Sequence, residues 1–144
     1  MVSTAFRKQR TRKKIAIKIF RFWLPVIIWA GFIFYVSNVP NLQSGLPYDF
    51  ILRKAAHVTE YFVLAFLLYR ALKNTCYLKG FCLPFFLGVL GLAYAITDEV
   101  HQVFIAGRHG APRDVLIDMV GIIGFYVVAK IYQNSSSANL QTVR

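Results

Sequence analysis

The chain is short of cysteine, of acid and of polar surface, and each shortage excludes something. Two cysteines, Cys76 and Cys82, in 144 residues rule out a disulfide-dense secreted scaffold, and no CxxC pair suggests zinc. They read as small apolar residues. Only 16% of the chain is charged against 57% hydrophobic, with a mean hydropathy of +0.51. That balance excludes a disordered chain, and a soluble globule this small would need more polar surface over its core. Acids are scarce: 6 Asp+Glu stand against 17 Lys+Arg, for a net charge of +11. Neither GxGxxG nor a P-loop is present, so no nucleotide cofactor is expected. What remains is a small, basic, integral membrane protein with room for one domain.

The first 21 residues hold eight basic residues (Arg7, Lys8, Arg10, Arg12, Lys13, Lys14, Lys18, Arg21) and no acid. Such a run can be a nucleic-acid arm. Here it runs directly into Phe22–Val36, which has no charge, and Lys/Arg before an apolar span mark a cytoplasmic flank that attracts anionic lipid. No nucleic-acid partner is therefore expected. Ser37-Asn38-Val39-Pro40 offers no A-x-A cleavage site, so the span reads as an anchor. Three more apolar stretches follow, Ala55–Leu72, Phe81–Thr97 and Val115–Tyr132, each near the lower limit of about 17 residues for a helical span. Nothing alternates with period two as barrel strands do. The predicted fold is all-α, a four-helix integral membrane bundle. It divides into a basic cytoplasmic segment (1–21), a transmembrane domain (22–132) and a tail (133–144), rich in Ser, Asn and Gln, that is expected to be disordered. With the N-terminus inside, the inner side holds 13 Lys/Arg and the outer side four (Arg53, Lys54, Arg108, Arg113), so both termini are expected in the cytoplasm.

All six acids (Asp49, Glu60, Asp98, Glu99, Asp114, Asp118) and all three histidines (His57, His101, His109) then fall at the outer end. A need for solubility would scatter them over both faces. On the second helix Lys54, His57, Glu60 and Tyr61 share an arc of roughly 120°. On the fourth, Asp114, Asp118 and Gly121 share one face, with Asp118 about 6 Å deeper than Asp114. An ionised Asp at a helix centre costs about 2.5–3.5 kcal/mol on insertion scales, so such residues face the interior and have partners. Arg108, Arg113, Lys54 and Arg53 are the natural ones, and Gly121 and Gly124 would admit a close neighbouring helix. Each residue also has a plainer reading: Glu60 with Lys54 as a structural pair, Asp114 as a helix cap, His57 as a hydrogen-bonded interior histidine, Asp98 with Gln102 as an i, i+4 hydrogen bond. Their convergence at one depth favours a site.

The run Arg53-Lys54-Ala55-Ala56-His57-Val58-Thr59-Glu60-Tyr61, then Thr97-Asp98-Glu99-Val100-His101-Gln102, then Gly107-Arg108, then Arg113-Asp114 through Asp118 to Gly121, resembles the VanZ-like family of small four-helix bacterial membrane proteins. The resemblance extends over about Lys14 to Tyr132. It implies a place in the bacterial cell membrane and a link to the cell envelope, since the family's founding member is associated with low-level resistance to the glycopeptide teicoplanin. The positions carried over are His57, Glu60, Tyr61, Asp98, Glu99, Gln102, Arg108, Asp114 and Gly121. One departure is Asp118, where the family usually has Asn, which puts in question any role that needs a neutral amide there.

The first hypothesis is an enzyme acting on an anionic, membrane-embedded substrate such as a polyprenyl phosphate, a lipid-linked wall precursor or a phospholipid. Lys54, Arg108 and Arg113 would bind phosphate, with Tyr61, Gln102, Asp114 and Asp118 completing the binding set. His57, oriented by Glu60 or Asp98, would move the proton, with Glu99 the second carboxylate. A non-catalytic membrane protein that binds or shields a lipid headgroup or the glycopeptide, altering glycopeptide access to the outer leaflet without turnover, is the alternative. Transport is least favoured, because no inverted repeat is visible and no polar track leads to Arg70 and Lys73. His57, His101, Asp98, Glu99 and Asp118 could supply metal ligands, but without a close-spaced motif such as HExxH no metal is expected.

Overall fold

The computed structural model describes residues 2–40, 48–108 and 110–142, which leaves His109 and Arg144 outside the described residues. Four helices make up the protein: α1 (Val2–Ser37), α2 (Asp49–Thr75), α3 (Cys82–Gln102) and α4 (Pro112–Thr142). They alternate in direction, so the C-terminal ends of α1 and α3 meet the N-terminal ends of α2 and α4 at one end of the bundle. The helix α2 is central, packing on α4 most extensively and also on α1 and α3.

Each helix buries one stripe at helical spacing. On α2 the stripe is Tyr61, Leu64, Ala65, Leu68, Ala71 and Leu72, and on α1 it is Val26, Ile33 and Ser37. The opposite faces carry exposed Ile27, Ile28, Phe32, Phe86, Val89, Ile123 and Val127. In water these would be an aggregation hazard; in a bilayer they are the lipid-facing surface. By length and composition α1, α3 and α4 can cross a membrane, and this is a membrane protein. The fourth expected span, on α2, has the length but is more polar, because Arg53, Lys54, His57 and Glu60 crowd its first turns. Being surrounded by the other three helices, α2 hides much of that polarity from lipid.

The helices overrun their predicted ends. At 1.5 Å per residue the 36-residue α1 is about 54 Å long, more than the roughly 30 Å of hydrocarbon, so its basic half extends beyond the bilayer core. The tail expected to be disordered is helical as far as Thr142. It has no Gly or Pro to stop the helix, and the Ser135 hydroxyl bonds back to the Ile131 carbonyl at 3.0 Å. Asp98, Glu99 and His101, expected in a loop, sit on the last turns of α3.

Close approach sets the geometry of the site. A Cβ on Gly121 would strike the Val58 carbonyl and come within 2.9 Å of the Phe62 nitrogen, so α4 meets α2 nearly backbone to backbone. Gly124, expected to do the same, has only ordinary contact room, with Phe62 at 3.9 Å. From α1, the Trp29 indole donates to the Glu60 carbonyl at 2.9 Å, and on α3 the Tyr94 hydroxyl donates to the Ala30 carbonyl at 2.5 Å. Tyr94 thus ties α3 to α1 inside the bundle.

Candidate functional site

The buried stripe of α3 changes chemistry along its length. It begins Leu87, Gly91, Ala95 and continues Asp98, Glu99, Gln102 on the same face. On α4 the buried face runs Asp118, Gly121, Ile122, Phe125, with the acid again at the same end of the bundle. Packing that is apolar through most of the protein therefore turns acidic where the ends of all four helices meet.

Asp118 is fully buried, and its Oδ1 lies 2.9 Å from His57 Nδ1 across the close α2–α4 contact that Gly121 permits. The partner that orients His57 is thus Asp118, not Glu60 or Asp98 as expected. Asp98 is buried and accepts from the Gln102 amide at 3.0 Å, the plainer of its two readings. The same amide reaches Ser37 Oγ at 3.4 Å. Glu99 Oε2 accepts the Ala111 N–H at 2.9 Å. That contact depends on Gly110, where a Cβ would collide with the Glu99 carbonyl and come within 2.8 Å of Val103 Cγ2.

The expected cations have fixed partners. Lys54 donates to Asp114 Oδ1 in a partly buried ion pair, so Asp114, in the first turn of α4, holds a lysine rather than acting as a cap. Arg53 pairs with Asp49 at 3.1 Å within α2. Arg108 donates through Nη2 to the Val36 carbonyl at 2.7 Å and through Nε to the Val39 carbonyl at 3.2 Å. It thereby clamps the α3–α4 connection onto the end of α1. Burial, and after it the neighbouring Arg53 charge, lower the Arg108 pKa, but a guanidinium remains a cation at any physiological pH. Arg113 is exposed and makes no ion pair among the described residues.

A cavity of about 210 Å³ opens among these groups, lined by Arg53, Lys54, His57, Gln102, Arg108 and Arg113, with Phe50, Gly107, Ala111 and Asp114 completing the wall. A smaller one beside it, about 40 Å³, adds Glu60 and Ser37. Arg53, His57 and Arg108 line both. Tyr61, expected to contact a ligand, is instead fully buried in the core under the cluster. His101 stands apart, stacked on Phe34 at 4.3 Å with its Nε2 2.9 Å from Asn38 Oδ1.

The span on α1 was legible in the sequence, but its contribution to the site was not. Ser37 and Asn38 bond to Gln102 and His101, and the Val36 and Val39 carbonyls hold Arg108. A signal was present: Ser37-Asn38 are the first polar residues after the apolar span and lie at the depth of the other polar groups. Backbone acceptors leave no trace in a sequence.

The comparisons with known proteins agree with a membrane protein. Residues 5–133 match the VanZ/LLP1 family. The chain is 34% identical over 108 residues to the uncharacterized membrane protein YwnJ of Bacillus subtilis (strain 168), covering 67% of this chain and 70% of that protein. No solved structure matches. A family match over nearly the whole chain, on a bundle with its polar groups gathered at one end, leads to one conclusion: the chain belongs to the VanZ/LLP1 family.

Proposed function

We propose that the protein works on an anionic lipid of the bacterial cell envelope, taking its phosphate into the cavity from the outer leaflet, with both termini in the cytoplasm. The observation that carries this reading is the cavity's make-up: Arg53, Lys54, Arg108 and Arg113 around a histidine held by a buried carboxylate. Cations bound to fixed partners cost little to organise when a phosphate arrives, and Arg113 adds a guanidinium with its fork of donors uncommitted to any ion pair among the described residues. His57, with one ring nitrogen on Asp118 and its ring at the cavity wall, is placed to take or give a proton. Glu99 is the second carboxylate, and Gln102, its amide N–H groups held by Asp98 and Ser37, is a neutral side chain at the wall.

The cavity suits a phosphate-sized head, with the rest of the lipid remaining in the bilayer. A polyprenyl phosphate, a lipid-linked wall precursor and a phospholipid share that chemistry. An influence on teicoplanin susceptibility would follow if the lipid feeds wall synthesis. The test is to incubate the full chain in lipid nanodiscs with bacterial lipid extract and profile lipids by mass. A new product that forms with wild type and is lost with His57→Ala and Glu99→Gln is expected. Unchanged lipid profiles with wild type would remove the catalytic reading.

A non-catalytic reading has its own support in the commitment of Lys54 to Asp114 and of Arg108 to α1 carbonyls. These make a rigid cradle that could hold a headgroup without turning it over. Binding with no product would select it.

A further inference from the structure

Beneath the cavity, three donors of mixed type come together. His57, Glu99 and Asp118 each offer one ligand atom, and these atoms lie within 4.8 Å of one another. Both carboxylates are buried, Glu99 at 5% and Asp118 at 0% exposure. Each is anchored at one oxygen, Glu99 by the Ala111 N–H and Asp118 by His57. Each leaves its other oxygen, Glu99 Oε1 and Asp118 Oδ2, buried and without a hydrogen-bond partner. The fully buried Tyr61 hydroxyl, one turn of α2 deeper than His57, has no partner either.

Leaving a buried polar group unsatisfied costs about 1–3 kcal/mol, and more for a charged one. Several such oxygens gathered in one place call for a positive centre. Two carboxylates bring two negative charges, which a dication cancels and a single histidine proton does not. Glu99, fixed through one oxygen by a backbone N–H and free at the other, has the outer hydrogen bond that orients a metal ligand, while the His57–Asp118 contact would give way to an ion bound by both.

We propose that His57, Glu99 and Asp118 bind one divalent transition-metal ion of the zinc or manganese class. An imidazole nitrogen with carboxylate oxygens suits such ions better than calcium or magnesium, which take oxygen ligands. Bonds of about 2.0–2.2 Å would draw the donors to within about 3–3.5 Å of one another, a contraction that side-chain rotation can supply. Three protein ligands leave a coordination position open for a water or a phosphate oxygen, and of the three His57 lines the cavity. The ion requires His57 as neutral imidazole, so binding releases protons at acidic pH. This deepens the functional reading of the same site, but its test uses no lipid, so either can fail without the other.

The experiment is elemental analysis of the full chain purified in detergent without chelator, followed by titration with Mn²⁺ and Zn²⁺. About one ion per chain is expected, with affinity at least tenfold weaker in Glu99→Gln and in Asp118→Asn. His101→Asn should bind as wild type does, since that histidine faces Asn38 and Phe34. A wild-type protein that takes up neither ion, or amide variants that bind as tightly, would overturn the proposal. Should an amide variant fail to fold, pulsed electron paramagnetic resonance of Mn²⁺ on the wild type decides. Coupling to a histidine nitrogen supports the site, and bound Mn²⁺ without it contradicts the site.

Discussion

At the end of the bundle away from the cavity, cations rest on aromatic rings. Arg70 lies 5.1 Å from the Phe22 ring centre, Lys73 5.5 Å from Tyr69 and Lys130 5.8 Å from Tyr126. At the cavity end Lys54 also lies 5.4 Å from the Phe50 ring centre, but there Lys54, Arg53 and Arg108 are held as well by carboxylates or backbone carbonyls, and every acid of the chain is found there. The same residue types thus serve two kinds of chemistry. Cations on rings at a helix end anchor a protein in the headgroup region, each worth about 0.5–1 kcal/mol and replaceable. Buried carboxylates with assigned partners are expensive to place in a membrane and strongly coupled to one another. The contrast is the reason the cavity end is proposed as the functional one: a protein that needed only to sit in a bilayer could have been built from the first end twice.

If that contrast is right, substitutions at the two ends differ sharply in cost. The largest effect is expected from Asp118→Ala, which strands His57 in the interior; removing one member of a buried pair costs about 3–5 kcal/mol. Asp118→Asn, which keeps an acceptor for His57, should cost clearly less. Thermal unfolding in detergent measures both. Next comes Gly121→Ala, whose methyl must push α4 off the Val58 carbonyl, at about 1–3 kcal/mol, while Gly124→Ala should leave the melting temperature nearly unchanged. Tyr94→Phe removes one donor to Ala30 and should cost about 1 kcal/mol in the same assay. Smallest is Arg70→Ala, at about 0.5–1 kcal/mol. If Arg70→Ala destabilised the protein as much as Asp118→Ala, the distinction between the two ends would collapse.

Much of this was legible in the sequence because membranes make burial readable. Charge asymmetry and apolar runs gave the four helices, and the i, i+4, i+7 spacing of Asp114, Asp118 and Gly121 put them correctly on one face. The partners were harder. Asp118 took His57 and Asp114 took Lys54, while the arginines turned to other acceptors. Side-chain spacing fixes a face, but pairing depends on helix rotation, and here Gly121 sets how closely α4 approaches α2. Helix ends were also missed, since Asp98 to Gln102 look like a polar loop until their packing against α1 is known. The role of Arg108 was readable only as a charge, because its acceptors are main-chain carbonyls.

The most direct test of the account is native mass spectrometry of the protein with a defined mixture of a phosphate-headed lipid and neutral diacylglycerol. Wild type should retain the phosphate-headed lipid at about one per chain, and Arg113→Ala, exposed at the cavity rim and able to fold without loss, should weaken that retention at least tenfold while Arg70→Ala does not. Equal retention by wild type and Arg113→Ala, or no preference for phosphate over the neutral lipid, would contradict the claim that the acid-and-cation end is a lipid-phosphate site.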